Sequence, residues 1–201
     1  LRIKFISPKN YPGTSIKIVV IKKINNRMDD HTIPALLRAE EVRIASSLKL
    51  DDLTKDPSLS SLYGSAVYSM FEAVISGRDI QRQNPLIDLC SLTSLRYRAF
   101  VIPIAVTPTL DYLEIESTDP HSWIMRDRLS EIYNSESGRV RVTEQFMPQS
   151  NKGLVILSGA NDGTIGSASK EVATSIERLL KGTTDLESLT PTQSEVALEL
   201  L

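Results

Sequence analysis

Apolar and charged residues alternate at the start of the chain, with Leu1, Ile3 and Phe5 against Arg2 and Lys4. That two-residue period over 1–7 predicts a half-buried strand. Asn10, Pro12 and Gly13 mark a turn. The run 16–24 is dense in β-branched residues and reads as a second, central strand. Residues 25–31 are polar and form a loop. Thr32 as cap and Pro34 in the first turn then open a helix to about residue 48, with Ile33, Leu37, Ile44 and Leu48 on one face.

The clearest helical pattern follows. Asp56 suits an N-cap and Pro57 the first helical position. Leu59, Leu62, Tyr63, Ala66, Val67, Met70, Phe71, Val74 and Ile75 recur at steps of three and four before Gly77, a natural stop. The spacing predicts a helix over 56–76, buried along its stripe. Residues 78–85 form a polar loop carrying Arg78 and Arg82. Residues 95–107 are strand-like, and Pro103, which cannot donate to a ladder, puts that strand at an edge or a bulge. Residues 110–115 are its expected hairpin partner across Thr107, Pro108 and Thr109.

Asp119 and Pro120 repeat the helix-start device and predict a short helix to about residue 133. Residues 139–146 alternate as a strand, 154–157 form a short buried strand, and 147–153 make the hairpin loop between them. Val172, Ile176, Leu179 and Leu180 give an amphipathic helix over 168–180. The polar stretch 181–189 is a linker, and Thr190 to Gln193 form a capping box before a last short helix. The expected fold class is α+β: a mostly antiparallel sheet with two consecutive amphipathic helices after the first two strands and further helices later. Residues 1–181 form the single α+β domain, and 182–201 a short linker and C-terminal helix. Strands and helices do not alternate regularly, which argues against a doubly wound parallel sheet.

Composition adds three points. With 201 residues, 41% of them apolar, the chain can bury a core without disulfides or metals. Its one cysteine, Cys90, has apolar neighbours in Ile87, Leu89 and Leu92, so a buried thiol is expected, in a reducing compartment. No apolar run approaches the roughly 18 residues that span a bilayer, and the charged opening is unlike a signal peptide. These features place the protein inside the cell, in its own or a host cytoplasm, or peripherally on a membrane. The chain opens on Leu1 and closes on the apolar run 196–201, so the natural chain is expected to extend further.

Charge changes the picture most. Arg2, Lys4, Lys9, Lys17, Lys22, Lys23 and Arg27 give the first 27 residues seven positive charges and no acid, while the remaining 16 basic and 25 acidic residues make −9. This separation orients a protein toward a polyanion or toward its own copies. Arg2, Lys4, Lys9, Lys17 and Lys23 are the candidate contacts, with Phe5 and Tyr11 interleaved. Strand alternation puts Lys17 and Lys23 on one side of their strand and Lys22 on the other.

Candidate chemistry is sparse. The apolar run 154–157 leads into a glycine-rich stretch and a helix, an arrangement that can cradle phosphate. Gly159, Gly163, Gly166 and Lys170 are its candidate residues, but neither G-x-x-x-x-G-K-[ST] nor G-x-G-x-x-G is present, and a plain turn explains the stretch as well. His31 and His121 lack metal-ligand spacing. The adjacent pairs Glu40–Glu41 and Asp51–Asp52 point apart on a helix and read as solvated. No cofactor and no catalytic set is expected.

The segment Ile3, Lys4, Phe5, Ile6, Ser7, Pro8, Lys9, Asn10 and Tyr11, running into Ile16, Lys17 and Ile18, is similar to the first core strand and turn of some rhabdovirus-type matrix proteins. The order of elements across 1–158 resembles theirs too: strands, two helices, a strand pair, a helix and a hairpin. The late-domain motif of their N-terminal arm is absent, and no functional residue carries over. The resemblance implies a self-assembling protein that bridges membrane and nucleocapsid without catalysis. The expected function is therefore a non-enzymatic, self-associating structural protein, a homo-oligomer of the viral matrix or assembly kind, whose basic N-terminal segment contacts anionic lipid or nucleocapsid. The alternatives are an RNA-binding nucleocapsid, coat or movement protein, and a small enzyme using residues 158–170.

Overall fold

A computed structural model describes residues 1–6, 15–27, 31–119, 122–159 and 161–199. In chain order its elements are β1 (Arg2–Ile6), β2 (Ile16–Lys23), α1 (Thr32–Ser47), α2 (Leu50–Lys55), α3 (Pro57–Ser60), α4 (Ala66–Ile75) and α5 (Pro85–Tyr97). They are followed by β3 (Phe100–Ala105), β4 (Tyr112–Asp119), β5 (Ser122–Arg126), β6 (Glu131–Asn134), β7 (Arg139–Val140), β8 (Gly153–Ser158), α6 (Asp162–Leu179), β9 (Thr183–Leu189) and β10 (Glu195–Ala197). The strands form a six-stranded sheet, β10-β1-β4-β5-β6-β7, and a four-stranded sheet, β3-β8-β2-β9. Among the described residues only β1 and β4 pair in parallel. The chain is thus α+β with mostly antiparallel sheets.

The hydrophobic pattern explains the layers. β8 is buried at every position and β2 at most, as strands covered on both faces must be. On one face, Val19, Ile21, Val155 and Leu157 pack with Ile165, Val172 and Ile176 of α6 and Leu86 and Leu89 of α5. On the other, Ile16, Ile18, Ile102, Ile104 and Ile156 share a cluster with Ile3, Phe5, Leu113, Ile115, Trp123 and Met125 of the larger sheet and with Leu37, Leu59 and Phe71 of the helices. Phe5 stacks on Trp123 with ring centroids 5.9 Å apart. The opposite face of the larger sheet carries Arg2, Lys4, Glu114, Glu116 and Arg126, none of them buried.

Several expectations are borne out. β1 turns Ile3 and Phe5 inward and Arg2 and Lys4 outward, and β2 is an interior strand. β3, with Pro103, lies at an edge. Asp56 caps Ser58, and Gly77 ends a helix at φ +78°.

Others are corrected. The helix expected over 56–76 is two: α3 stops after four residues, Gly64 adopts φ +81°, and Ser65 caps α4. The stripe is still core, but Tyr63 at the break is 77% exposed. α5 starts on Asn84 and Pro85 and takes in residues 95–97, which read as strand. It buries Leu86, Leu89, Leu92 and Leu95 together with Asp88, Thr93 and Ser94, so its sequence shows no single apolar stripe. Among the described residues after Asp119, β5 and β6 stand where a helix was expected, with Trp123 and Met125 buried at the two-residue spacing of a strand.

β3 and β4 belong to different sheets and so are not a hairpin, and the same holds for β7 and β8. The expected linker and C-terminal helix are strands, β9 beside β2 and β10 beside β1. The element order behind the matrix-protein resemblance changes accordingly. The turn expected over 8–14, with Lys9 and Tyr11, and His121 lie outside the described residues.

Candidate polyanion surface

Cross-strand register decides what the basic N-terminal segment can do. Lys4 stands opposite Glu195 of β10 on one side and Glu114 of β4 on the other. Glu114 in turn faces Arg126, and Arg126 faces Glu131. The outer face of the larger sheet therefore carries a row of alternating charge, in which opposite charges directly across are favourable. Arg126 also contacts Glu116 at 2.6 Å. Arg2, one step along, faces Ala197 and Tyr112 and is exposed.

Lys17 points to the face that α6 covers. It is 19% exposed, lies 3.1 Å from Asp162 and donates to Ser188 Oγ at 2.9 Å. The Ser15 hydroxyl and the Lys17 ammonium hold the Asp162 carboxyl below the usual carboxylate range. Lys17 thus anchors the start of α6. Lys22 pairs with Asp185 of β9 at 2.5 Å. A register shift between Ile21 and Lys23 interrupts the alternation, and Lys23, opposite Thr183, is exposed.

Four exposed cations lie at one end of the four-stranded sheet. Beyond Lys23 comes Arg27, exposed, and across from them lies the end of α6. The Asn25 N–H donates to Leu180 O at 2.9 Å and joins the two segments. Arg178 and Lys181 are exposed there. Lys181 takes φ +51° and its ammonium donates to Arg178 O at 2.9 Å, as cations do at a helix C-terminus. Of the nearby acids, Asp185 is paired with Lys22, while Glu177, exposed and accepting the Thr184 hydroxyl at 2.8 Å, keeps its charge, so the end carries four cations against one free carboxylate.

Beside this end is a cleft of about 650 Å³ lined by Ile24, Asn25, Asn26 and Arg27 and by Pro148, Gln149, Ser150 and Asn151. The buried Asn26 closes its back, donating to Met147 O at 3.1 Å and accepting from Leu86 N–H at 2.9 Å. Met147 is 44% exposed.

The geometry divides the sequence candidates. Lys23 belongs to the basic end. Lys4 and Lys17 sit against carboxylates, Arg2 is on the outer face of the other sheet, and Lys9 is outside the described residues. Arg27, Arg178 and Lys181 were not singled out as contacts. For the last two the readable sign was cations closing the helix 168–180, a preference that the helix dipole also accounts for.

The glycine-rich stretch is mostly helix. β8 ends at Ser158 and α6 begins at Asp162, so Gly163 and Gly166 lie inside α6, and Lys170 is two turns in rather than in the first turn. Asn161 Oδ1 already accepts the Thr164 N–H at 3.0 Å, and the acidic Asp162 occupies the first turn. Both oppose an anion there. Gly159 serves packing, since a Cβ would come within 2.6 Å of Ile165 Cδ1. An adjacent cleft of about 240 Å³ includes Gly159, Thr164 and Arg98, whose guanidinium is 2.6 Å from Asp56.

The remaining candidates are structural. Burial pushes the Cys90 thiol up and keeps it protonated. Glu40 and Glu41 do point apart, but both are buried rather than solvated. Arg82 contacts Glu41 through both guanidinium nitrogens at 2.8 Å, and Ile80 N–H adds a third bond at 2.9 Å. Arg43 holds Glu40 at 2.5 Å. No cluster of three potential metal ligands occurs among the described residues, and none of their helices is long and apolar enough to cross a membrane. Comparison with protein-family models and with curated proteins gives no match for this sequence.

Proposed function

We propose that the chain is a non-enzymatic, self-associating structural protein of the matrix or assembly kind, which meets an anionic lipid surface through the basic end of its four-stranded sheet. The observation that carries this reading is the sorting of the cations. Lys4, Lys17 and Lys22 are matched by acids from other elements, while Lys23, Arg27, Arg178 and Lys181 converge on one exposed end. Met147, whose carbonyl accepts from the Asn26 side chain, adds an exposed apolar side chain at the start of the segment that lines the cleft through Pro148. Cations flanking an apolar group suit the headgroup boundary of an anionic bilayer. Self-association is supported by β9 and β10, outermost strands whose outer edges carry no further strand among the described residues.

A second reading, contact with RNA or a nucleocapsid, rests on the amides of Asn25, Gln149 and Asn151 around the 650 Å³ cleft. Co-sedimentation with phosphatidylserine vesicles, neutral vesicles and single-stranded RNA, each across a salt series, separates the two. The lipid reading expects binding to the anionic vesicles that weakens with salt and no binding to the neutral ones. Binding to RNA alone would replace it with the second reading, and binding to neither at low salt would remove both.

A further inference from the structure

The cleft beside the basic end has a lining of narrow chemistry. Of its described lining residues, Arg27 alone is charged, Asn25, Gln149 and Asn151 present exposed amides, and none is acidic or aromatic. Its volume, about 650 Å³, lies within the roughly 300–1,000 Å³ of small-ligand sites. Its walls are fixed in advance. Met147 O accepts the Asn26 side-chain amide at 3.1 Å and the Ser150 N–H at 2.9 Å, and the Met147 N–H donates to Ser150 Oγ at 3.0 Å. Just before that turn, the buried Asn84 side chain donates to Phe146 O at 2.7 Å. On the other wall, the Asn25 N–H donates to Leu180 O at 2.9 Å. A cleft braced in this way loses little entropy when a ligand enters.

Each part of the lining favours a different group. A guanidinium is a planar fork of donors that matches two oxygens of a phosphate. A primary amide carries a donor and an acceptor side by side, as does a pair of neighbouring hydroxyls, so amides suit a polyhydroxyl ring. Ser150 Oγ already accepts a bond, and its hydrogen is left to donate. With no acid in the lining, the ammonium of a serine or ethanolamine headgroup finds no charged partner there. With no aromatic ring, a nucleobase finds no stacking platform. Through the Asn25–Leu180 bond the cleft adjoins Lys23, Arg178 and Lys181, the other cations of the basic end.

We infer that this cleft holds the inositol headgroup of an anionic phospholipid, with the Arg27 guanidinium on the phosphodiester and the amides of Asn25, Gln149 and Asn151 on the ring hydroxyls. The basic end then supplies an attraction that any anionic lipid feels, and the cleft supplies the choice among lipids of equal charge. This inference rests on the anionic-lipid half of the proposed function and names the headgroup selected.

Co-sedimentation of the full chain with phosphatidylcholine vesicles carrying equal fractions of phosphatidylinositol or of phosphatidylglycerol is the first arm of the test, because both lipids bring a single negative charge. The second arm titrates the chain with glycerophosphoinositol, the same headgroup without acyl chains, and separately with uridine monophosphate. Its readout is the backbone amide resonances of Asn25, Arg27, Gln149 and Asn151. The cleft requires at least about tenfold tighter binding to the phosphatidylinositol vesicles, which one or two neutral hydrogen bonds can supply, and shifts of those resonances by glycerophosphoinositol. In Gln149→Ala with Asn151→Ala the preference should vanish while binding to phosphatidylglycerol stays as in the wild type, which a misfolded variant would not show. Equal binding to the two vesicles, or a preference that survives in this variant, overturns the inference and leaves the anionic-lipid reading standing. Shifts by uridine monophosphate and not by glycerophosphoinositol overturn it in favour of RNA. Shifts by glycerophosphoinositol without binding to either vesicle overturn the lipid source and make the cleft a site for a soluble polyol phosphate. Binding to neither vesicle, with no shift, overturns the inference together with the reading it rests on.

Discussion

Two carboxylates, Glu41 and Asp88, lie buried around the loop between α4 and α5, and their surroundings differ. Glu41 is 3% exposed and meets Arg82, Arg38 and the Ile80 N–H. Burial opposes its charge, but these partners together hold its carboxyl below the usual range. Asp88 has less. Burial pushes its carboxyl up, and the charge of Glu41 adds to that, while the Gln83 N–H and the Arg82 charge pull only partway back. A folded-state value above the unfolded one means that ionised Asp88 costs stability. The cost is absent below the unfolded value of about 3.9, grows as pH rises through the folded value, and is complete above it. Asp88→Asn keeps an oxygen for the Gln83 N–H and removes the charge, so its melting temperature should exceed that of the wild type near neutral pH and match it in acid. A lower melting temperature at neutral pH would mean that attraction to Arg82 outweighs burial.

At the scale of elements, the tip of the β5–β6 hairpin depends on Arg141. Its bond to Asp127, aided by the Leu129 and Ser130 N–H groups, pulls the Asp127 carboxyl down to about 2. Arg141 and the Thr143 hydroxyl also hold Glu144 below the usual carboxylate range. Both shifts stabilise the tip above the unfolded carboxylate values, and that stability is lost as pH falls toward about 2. The protection of the Leu129 and Ser130 amides, taken as their hydrogen exchange relative to the intrinsic rate at each pH, should therefore fall as the solution is acidified through this range, and should already be low at neutral pH in Arg141→Ala. Retained protection in that variant would show that the Asp127 turn stands alone.

Elements were legible where one face met solvent. β1 showed its alternation, and the α3–α4 segment and α6 showed their stripes. α5 was not, because it is enclosed on all sides and polar residues interrupt its apolar ones. β9 was not either: it buries only Leu189, so an edge strand written with Thr, Asp, Glu and Ser reads as a linker. The break at Gly64 was masked by a stripe that continues in phase through it. Asp119 and Pro120 look like a helix start in sequence, and only the two-step spacing of Trp123 and Met125 pointed to a strand.

For the whole molecule, the excess of positive charge in the first 27 residues was plain in the sequence, but its use was not. The acids that stand across from Lys4 in register and pair with Lys17 and Lys22 come from residues 114, 195, 162 and 185, brought alongside only by the fold. The same folding sets Lys23 and Arg27 beside Arg178 and Lys181, far away in sequence. The account stands on this sorting. The most direct test is partitioning onto phosphatidylserine-containing vesicles by the wild type, by Lys23→Gln with Lys181→Gln, and by Arg2→Gln with Lys4→Gln, on the outer face of the other sheet. Each cation near an anionic surface contributes about 1 kcal/mol, so the first pair should weaken partitioning by roughly thirtyfold while the second leaves it nearly unchanged. Equal losses in the two pairs, or a larger loss in the second, would contradict the assignment of the basic end.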